Sequence, residues 1–481
     1  MHGVRKCMGS DPLGFSSVSV AEGRHLARGG IGVHQFDEHM DDVADAIVDY
    51  VKRRTRLDPI PLNHPKTVEE LDALCGATIT AGGIGGEQAL ELFAQHLEPA
   101  SLSVDYTKYL SFVPAAPTEA SVLFDVAASA ASIYGGSWLE GAGAIWAENE
   151  ALEWIRSLTG MPQSSGGVFV PGGTVGNLSA LVAARVAAQE RDGDDRPTRY
   201  AIVASKESHS SIKAAALVMD CDVLLADTDD QRKMTGESVG ALLDEHGDRV
   251  CAVVATSGTT NLGIIDDLRS IGEVCRDRNV WFHVDGAYGG AALASDRAHR
   301  LFDGLDLADS FIVDPHKWLF APFDCCALLY RDPDRARDAH MQSAGYLAFL
   351  DNYGDWNPSD FAIQLTRRVR GLPFWFSLAT YGTDAYTTAI DVTLDLATEA
   401  ARQIKAAPHL ELAHDPSLSV VAFTRTGWDA AQYQAWTEKA MASGLAFVTP
   451  SRLDGEPIYR FCFVNPRTTN DEIAEIIEAL A

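Results

Sequence analysis

Short apolar segments alternate with helical ones between about residues 120 and 330, and this alternation constrains the fold more than any other feature of the sequence. The predicted strands are Val168–Val170, Tyr200–Ala204, Val223–Ala226, Val250–Thr256, Val280–Asp285, Ser310–Val313 and Cys325–Tyr330. The helices predicted between them include Asn177–Glu190, Ser210–Met219 and Leu268–Arg278. Such alternation is typical of an α/β fold with a mostly parallel sheet covered on both faces. Several strands are continuously apolar, as expected where both faces are buried.

The regions on either side of this segment have other patterns. Phe36, Met40, Val43, Ile47 and Val51 recur every three or four residues, which predicts an amphipathic helix up to Arg54. Near the end, helices and strands predict a smaller α+β domain, with elements at Thr383–Ala406, Ser419–Thr424, Ile458–Val464 and Asn470–Leu480. We therefore expect four parts: a flexible tail (1–33), a dimer-forming helical and extended segment (34–115), a large domain (116–375) and a small C-terminal domain (376–481).

Composition excludes several classes of function. The net charge of −28 disfavours binding to nucleic acid or to anionic membranes. No uninterrupted apolar stretch reaches the roughly 18 residues that a membrane-spanning helix needs. The eight cysteines are scattered without a C-x-x-C pair, so we expect reduced thiols, a cytoplasmic location and no bound metal.

Three predicted strand ends carry unusual residues, and ligands of parallel α/β sheets bind beyond the carboxyl ends of the strands. The first is the glycine-rich turn Pro171–Asn177, which opens a helix whose free N–H groups could hold an anion. The turn lacks the lysine of a phosphate-binding P-loop and the spacing of a dinucleotide site. A plain tight connection between strand and helix explains this turn equally well.

The other two strand ends carry Asp285 and Lys317. An acid that ends an apolar strand needs a cationic partner if it is buried, and a protonated pyridine nitrogen is one such partner. Capping of a helix is the alternative for Asp285. Lys317 stands between His316 and Trp318, where desolvation would lower the pKa of its amine towards a nucleophilic range. A lysine in that state forms Schiff bases.

Taken together, the motifs around Asp285 and Lys317 resemble those of a known enzyme family. His-Val-Asp-Gly-Ala-Tyr-Gly-Gly (283–290) followed by Asp-Pro-His-Lys-Trp (314–318) resembles the group II decarboxylases that depend on pyridoxal 5′-phosphate (PLP). This family contains aromatic-L-amino-acid, histidine and glutamate decarboxylases, and the resemblance extends from about Phe36 to the C-terminus. It implies fold type I of PLP enzymes and a homodimer with the active site at the subunit interface.

The resemblance also implies roles for individual residues. Lys317 would carry PLP as a Schiff base, and Asp285 would pair with the pyridine nitrogen. Tyr346 would return a proton to the substrate carbon after CO2 has left. Ala287 and His209 would lie against the two faces of the cofactor ring, and Thr256 would lie beside the cofactor. The phosphate would be held by Gly173, Thr174 and His316. His209 would also lie near the carboxylate that is lost, and Asp314 would lie near the phosphate, where its charge has no explanation from the sequence.

The substrate pocket implied by the resemblance departs from the aromatic decarboxylases. Its residues would be Phe112, Val113, Pro114, Tyr134, Gly136, Trp138 and Thr366. Val113 and Gly136 replace aromatic residues, whereas Thr366 replaces a smaller one. These segments contain no cation opposite a side-chain carboxylate, which makes glutamate a less favoured substrate.

The sequence thus favours decarboxylation of an aromatic or bulky apolar L-amino acid. The same scaffold could instead form an aldehyde oxidatively, cleave a C–C bond, or decarboxylate a basic or acidic amino acid. A protein of this fold that only binds partners is a third possibility. The tyrosine at position 346 favours plain decarboxylation, since relatives with phenylalanine there tend to be aldehyde synthases.

Overall fold

The computed structural model describes residues 33, 38–342 and 356–481, and its contacts divide the chain into two units. The first unit contains the residues up to Arg56 and Lys66–Pro99, and the second contains Leu57–Pro65 and Ala100–Ala481. The positions Phe36 and Tyr346, named above, lie outside the described residues.

The first unit is helical. It contains α1 (Glu38–Thr55), α2 (Val68–Cys75) and α3 (Gly86–Leu92), and α3 continues into a π-helical turn at Phe93–Leu97. The amphipathic helix predicted from the sequence is therefore present as α1. It buries Val43 against Gly86, where a Cβ atom would lie only 2.7 Å from Val43 Cγ2.

The second unit is built on a seven-stranded sheet. Its strands are β1 (Gly166–Val170), β2 (Ala201–Ser205), β3 (Asp222–Ala226), β4 (Val250–Thr256), β5 (Trp281–Asp285), β6 (Ser310–Val313) and β7 (Cys326–Tyr330). Their order is β1-β7-β6-β5-β4-β2-β3, and β7 runs antiparallel to both of its neighbours. The pairs from β3 to β6 are parallel. All seven predicted strands and the mostly parallel sheet are confirmed.

Alternate residues of the central strands enter two separate hydrophobic clusters. Val253 and Phe311 belong to one cluster, while their neighbours Val254 and Ile312 belong to the other, and all four are buried. Since side chains alternate between the faces of a strand, the sheet is covered on both sides.

The helices that precede the C-terminal part of this unit were predicted less completely than its strands. They are α4 (Glu119–Ala131), α5 (Trp138–Thr159), α6 (Gly173–Asp192), α7 (Ser210–Met219), α8 (Gly236–His246), α9 (Leu268–Asp277), α10 (Pro333–His340) and α11 (Leu372–Tyr381). The helix predicted from Asn177 begins four residues earlier, at Gly173, so the glycine-rich turn forms its first turn.

The C-terminal part is a small α+β domain, as predicted. Its strands are β8 (Leu410–Leu412), β9 (Val420–Arg425), β10 (Pro450–Leu453) and β11 (Glu456–Cys462). They form a sheet of the order β10-β11-β9-β8 that is antiparallel throughout. They pack with α12 (Thr383–Ala406), α13 (Ala430–Ala442) and α14 (Asn470–Ala479). Among the described residues, no helix is both long and apolar enough to cross a membrane.

A buried ion pair joins α5 to the segment before α11. Arg367 Nη2 lies 2.8 Å from both carboxylate oxygens of Glu148, and Gly371 N donates to Glu148 Oε1. The same guanidinium donates to the carbonyl of Gly135 at 2.6 Å. Because both charged side chains are almost fully buried, this pair fixes the segment around Gly135 against the segment around Arg367.

Candidate functional site

A cavity of about 420 Å³ lies where β4, β5 and β6 end and α6 begins. All eight residues that the resemblance assigned to the cofactor line it: Gly173, Thr174, His209, Thr256, Asp285, Ala287, His316 and Lys317. They come from five separate parts of the chain, and the carboxyl edge of the parallel sheet brings them together, as the rule for ligand sites in α/β folds predicts.

Lys317 follows β6 after a short turn and forms an ion pair. Its Nζ atom lies 2.9 Å from Oδ2 of Asp314. Desolvation acts to lower the pKa of Lys317, but the charge and hydrogen bond of Asp314, with smaller contributions from Asp285 and Cys326, together raise this pKa above its ordinary value. The lowered pKa expected from the sequence is therefore wrong for the cofactor-free protein. His316 and Trp318 beside Lys317 predict desolvation, but the acid three positions before Lys317 lies against its amine.

Asp314 is itself buried, with a side chain that is only 1% exposed. Its Oδ2 atom also accepts a hydrogen bond from Gly173 N at 3.3 Å, while Oδ1 has no hydrogen-bond partner among the described residues. Burial raises the pKa of Asp314, but the charges of Lys317 and His316 hold it below its usual range. The charge that the sequence left unexplained is therefore the counter-charge of Lys317.

Asp285 ends β5 and is held by neutral donors. Its Oδ2 atom accepts a hydrogen bond of 2.8 Å from Asn177 Nδ2, and its Oδ1 atom accepts one of 3.1 Å from Ala287 N. The carboxylate lines the cavity although the residue is 95% buried. This position suits a carboxylate that faces a protonated ring nitrogen, because its two hydrogen bonds orient it without neutralising it.

Asn177 extends these contacts into a network that the sequence analysis missed. Its Nδ2 group also donates to Ser211 Oγ at 2.9 Å, and its Oδ1 atom lies 2.8 Å from His283 Nε2. Ser211 N donates to His209 Nδ1, which places the proton of the neutral His209 ring on Nε2. One sequence signal was present: His283 and Asp285 are two residues apart on β5 and so share a face.

The residues of the cavity fit PLP. Thr256 Oγ1 and Asp314 Oδ1 belong to residues of the cavity wall and are buried without hydrogen-bond partners in the described chain, so each can still bond to a ligand. At Gly173 a Cβ atom would lie 3.1 Å from Asp314 Oδ2 and 3.2 Å from Ala287 Cβ, which leaves room for backbone but little for a side chain. The amine of Lys317 suits the aldehyde of this cofactor, and the carboxylate of Asp285 suits its ring nitrogen. The N-terminus of α6 suits its phosphate.

The residues predicted for the substrate pocket are only partly brought to this cavity. Phe112 and Val113 line it, and Pro114 is buried next to them. The remaining four do not line it within the described part of one chain: Tyr134, Gly136, Trp138 and Thr366. Tyr134 instead donates its hydroxyl to the carbonyl of Leu365.

Two charged residues of the cavity wall were missed. Arg460 on β11 donates to the carbonyl of Phe112 at 2.7 Å, and Asp324 forms an ion pair with Arg370. The segments near Pro114 and Trp138 contain no cation for an acidic substrate, but Arg460 brings one to the cavity wall, so the absence of a cation no longer disfavours an acidic substrate. Nothing in the local sequence of β11 signals that this arginine reaches a cavity formed by another domain.

Comparisons with known proteins give a consistent result. A family model described as the pyridoxal-dependent decarboxylase conserved domain matches residues 93–426. The chain is 29% identical over 422 residues to the aromatic-L-amino-acid decarboxylase of Bacillus atrophaeus, covering 84% of this chain and 87% of that protein. It is 35% identical over 358 residues to the L-2,4-diaminobutyrate decarboxylase of Rhizobium meliloti, covering 72% and 71%. The crystal structure of Oryza sativa TDC with PLP and tryptamine is similar in fold, with a TM-score of 0.83, 23% identity and coverage of 92% and 96%.

The network predicts a pH-dependent contribution of His283 to stability. Burial lowers the pKa of His283 from 6.5 to about 4, although the charge of Asp285 opposes this shift. The unfolded chain therefore binds a proton more readily than the folded chain between these values, and His283 stabilises the fold less as the pH falls. We expect the destabilisation caused by His283→Gln, measured by urea unfolding, to shrink by about 2 kcal/mol from pH 7 to pH 5.

The matched control is His64→Gln, which replaces an exposed histidine. It should change the free energy of unfolding little at either pH. An effect of His283→Gln that is equal at both pH values would contradict a neutral, buried imidazole at this position.

Proposed function

The chain belongs to the pyridoxal-dependent decarboxylase family and is a PLP-dependent amino-acid decarboxylase, and we propose that it converts an aromatic or bulky apolar L-amino acid into its amine and CO2. The observation that supports this substrate class is that the two charged residues Arg460 and Asp324 of the cavity wall already contact other groups of the chain. Arg460 is engaged by the Phe112 carbonyl and Asp324 by Arg370, whereas Phe112 and Val113 present apolar surface. An acidic substrate side chain would have to share Arg460 with the Phe112 carbonyl, and a basic one would have to compete with Arg370 for Asp324.

A second candidate substrate is L-2,4-diaminobutyrate. The Rhizobium meliloti relative named for this activity is 35% identical, and the Asp324 carboxylate could pair with a side-chain ammonium group. The two candidates differ in whether Asp324 stays paired with Arg370 when the substrate binds.

We propose the following roles for residues of this chain in binding the cofactor and in the reaction. Lys317 would hold the cofactor, and Asp285, oriented by Asn177, would keep a proton on the pyridine nitrogen. The first amides of α6 and His316 would bind the phosphate. When bound, PLP supplies an electron-accepting ring for the bond between the α-carbon and the carboxylate. His209 would lie beside that carboxylate, and Tyr346 would return a proton to the α-carbon.

A panel of L-amino acids, with amine products identified by mass spectrometry and CO2 trapped, tests this function. We expect turnover of aromatic or bulky apolar substrates and little of glutamate. Preferred turnover of 2,4-diaminobutyrate, lost on Asp324→Asn, would select the second candidate. Aldehyde without amine as the main product would place the chain among the aldehyde synthases.

Lys317→Ala should abolish both the visible absorbance of bound PLP and the activity, because no other amine of the described cavity wall is placed to hold the cofactor. Absorbance after dialysis and CO2 release are the measurements. Lys405→Ala, which removes an exposed amine on α12, is the control and should behave like the unmodified protein. If Lys317→Ala stays yellow and active, the attachment site lies elsewhere.

Tyr346→Phe should slow amine formation and yield some aldehyde, ammonia and peroxide in air but not under nitrogen. The change removes one hydroxyl group, so substrate should still bind and lose CO2, while the missing proton donor leaves time for oxygen to react. Tyr381→Phe, on α11 and partly exposed, is the control. Unchanged amine production by Tyr346→Phe would show that another group delivers the proton.

We also propose that the chain works as a homodimer. Helices α4 and α5 expose four large apolar side chains, at Leu123, Val126, Leu139 and Trp146, which are 41–54% exposed. This surface adjoins the segment of Tyr134, Gly136 and Trp138, which does not line the cavity of its own chain. Pairing of two chains through this surface would bury the apolar side chains and bring the segment to the other chain's cavity.

Trp146→Glu should therefore weaken the dimer and lower the activity in parallel. Sedimentation velocity and CO2 release over the same protein concentrations are the measurements. Val392→Glu, which places the same charge on the exposed face of α12, should leave both unchanged. A fully active monomer would contradict the shared site.

A further inference from the structure

A line of buried polar side chains runs along the face of β5 that packs on α6. Trp281, His283 and Asp285 are two residues apart and so share this face, and Ser310 pairs with His283 across the neighbouring strand β6. With Asn177 of α6 they form a set that we call the β5 network, and each of the five is at most 5% exposed. Their polar atoms therefore have to find partners within the protein.

Hydrogen bonds join the members of the β5 network one after another. Trp281 Nε1 lies 2.8 Å from Ser310 Oγ, which in turn lies 2.8 Å from His283 Nδ1. His283 Nε2 lies 2.8 Å from Asn177 Oδ1, and Asn177 Nδ2 lies 2.8 Å from Asp285 Oδ2. The β5 network thus connects the first residue of β5 with its last.

The chemistry of its two ends gives the β5 network one direction. An indole N–H can only donate and an ionised carboxylate can only accept, so Trp281 donates at one end and Asp285 accepts at the other. Asn177 turns its Nδ2 group towards Asp285, which leaves Oδ1 to accept the Nε2–H of His283. Burial lowers the pKa of His283 to about 4, so at neutral pH the ring is uncharged and its Nδ1 accepts from the Ser310 hydroxyl.

A branch of the β5 network reaches the His209 side of the cavity. Asn177 Nδ2 also donates to Ser211 Oγ at 2.9 Å, and this hydroxyl lies 2.8 Å from His209 Nδ1. Because Ser211 Oγ accepts from Asn177, its own O–H is left to donate to His209. The direction of the β5 network therefore agrees with a His209 ring that carries its proton on Nε2.

We propose that Trp281 and Ser310 are positioning residues for the cofactor site, although neither belongs to the described wall of the cavity. Each donor in a series of hydrogen bonds polarises the next, so the Ser310 hydroxyl strengthens the donation from Asn177 to Asp285. A hydrogen bond to a carboxylate favours its ionised form, which then takes a proton from its partner less readily. The inference rests on the proposed contact of Asp285 with the pyridine nitrogen and names the residues that keep the proton on that nitrogen.

The test is the NMR signal of PLP labelled with 15N at its ring nitrogen and bound to the full-length chain. We expect a protonated nitrogen in the unmodified chain and, in Ser310→Ala, a signal shifted towards that of unprotonated pyridine. Ser310→Thr keeps the hydroxyl and should restore the original signal. The matched control is Ser377→Ala, which removes a buried hydroxyl that accepts from Tyr386 on α12, and it should leave the signal unchanged.

Neutron diffraction from crystals of the cofactor-free chain, grown in heavy water, tests the direction of the β5 network without any substitution. Deuterons should lie on Nε2 of both His283 and His209, and the Ser310 hydroxyl should point at His283 Nδ1. A deuteron on Nδ1 of either histidine would overturn the inference, and this measurement decides even if Ser310→Ala does not fold.

The outcomes also separate this inference from the proposed function. Equal 15N signals in the unmodified chain and in Ser310→Ala, both with PLP bound, would refute the positioning role alone. Borohydride reduction followed by mass spectrometry shows whether PLP is attached at Lys317. A chain without attached PLP would refute the proposed attachment, while the deuteron positions would still decide the direction of the β5 network.

Discussion

The hydrogen bond from Asn177 to Asp285 is the contact on which the rest of the site depends. Asn177 stands one helical turn after Gly173, so the register of α6 fixes both its own first amides and the carboxylate of Asp285, which we propose bind the phosphate and the ring nitrogen. The same amide reaches Ser211 and His283, which connects α6 with α7 and β5. A shift of α6 by one residue would therefore disturb both ends of the cofactor site together.

Local charges explain how so acidic a chain can hold an anionic cofactor. The net charge of −28 opposes anion binding at long range, and the site compensates with the N-terminus of α6, His316 and Lys317. The two buried carboxylates of the site, Asp285 and Asp314, have different kinds of partner. Asp285 accepts hydrogen bonds from neutral groups, whereas Asp314 pairs with the amine.

The sequence predicted the strands well because each is a continuous apolar segment bounded by turn residues. The Val250–Thr256 and Ser310–Val313 strands were placed without error. Helices α4 and α5 were missed since small residues blur their periodicity, and Gly141 departs from helical geometry inside α5. The residues that we propose for the cofactor lie in local motifs, and the resemblance that these motifs carry was enough to name them. Asn177, Asp324 and Arg460 could not be named in this way, because their roles arise from contacts between distant parts of the chain.

The small domain shows why the substrate is harder to derive than the cofactor. Tyr288 stacks on Trp318 beside Lys317, and its hydroxyl lies 2.6 Å from Ser419 Oγ, just before β9. This contact ties the two domains together next to the cavity, and β11 extends Arg460 to the carbonyl of Phe112. The contacts that we propose for the cofactor come from one sheet edge, which the strand pattern specifies. The substrate contacts depend on how one domain packs on another and, in our proposal, on a second chain. Selectivity can therefore change through packing alone while the cofactor motifs stay the same.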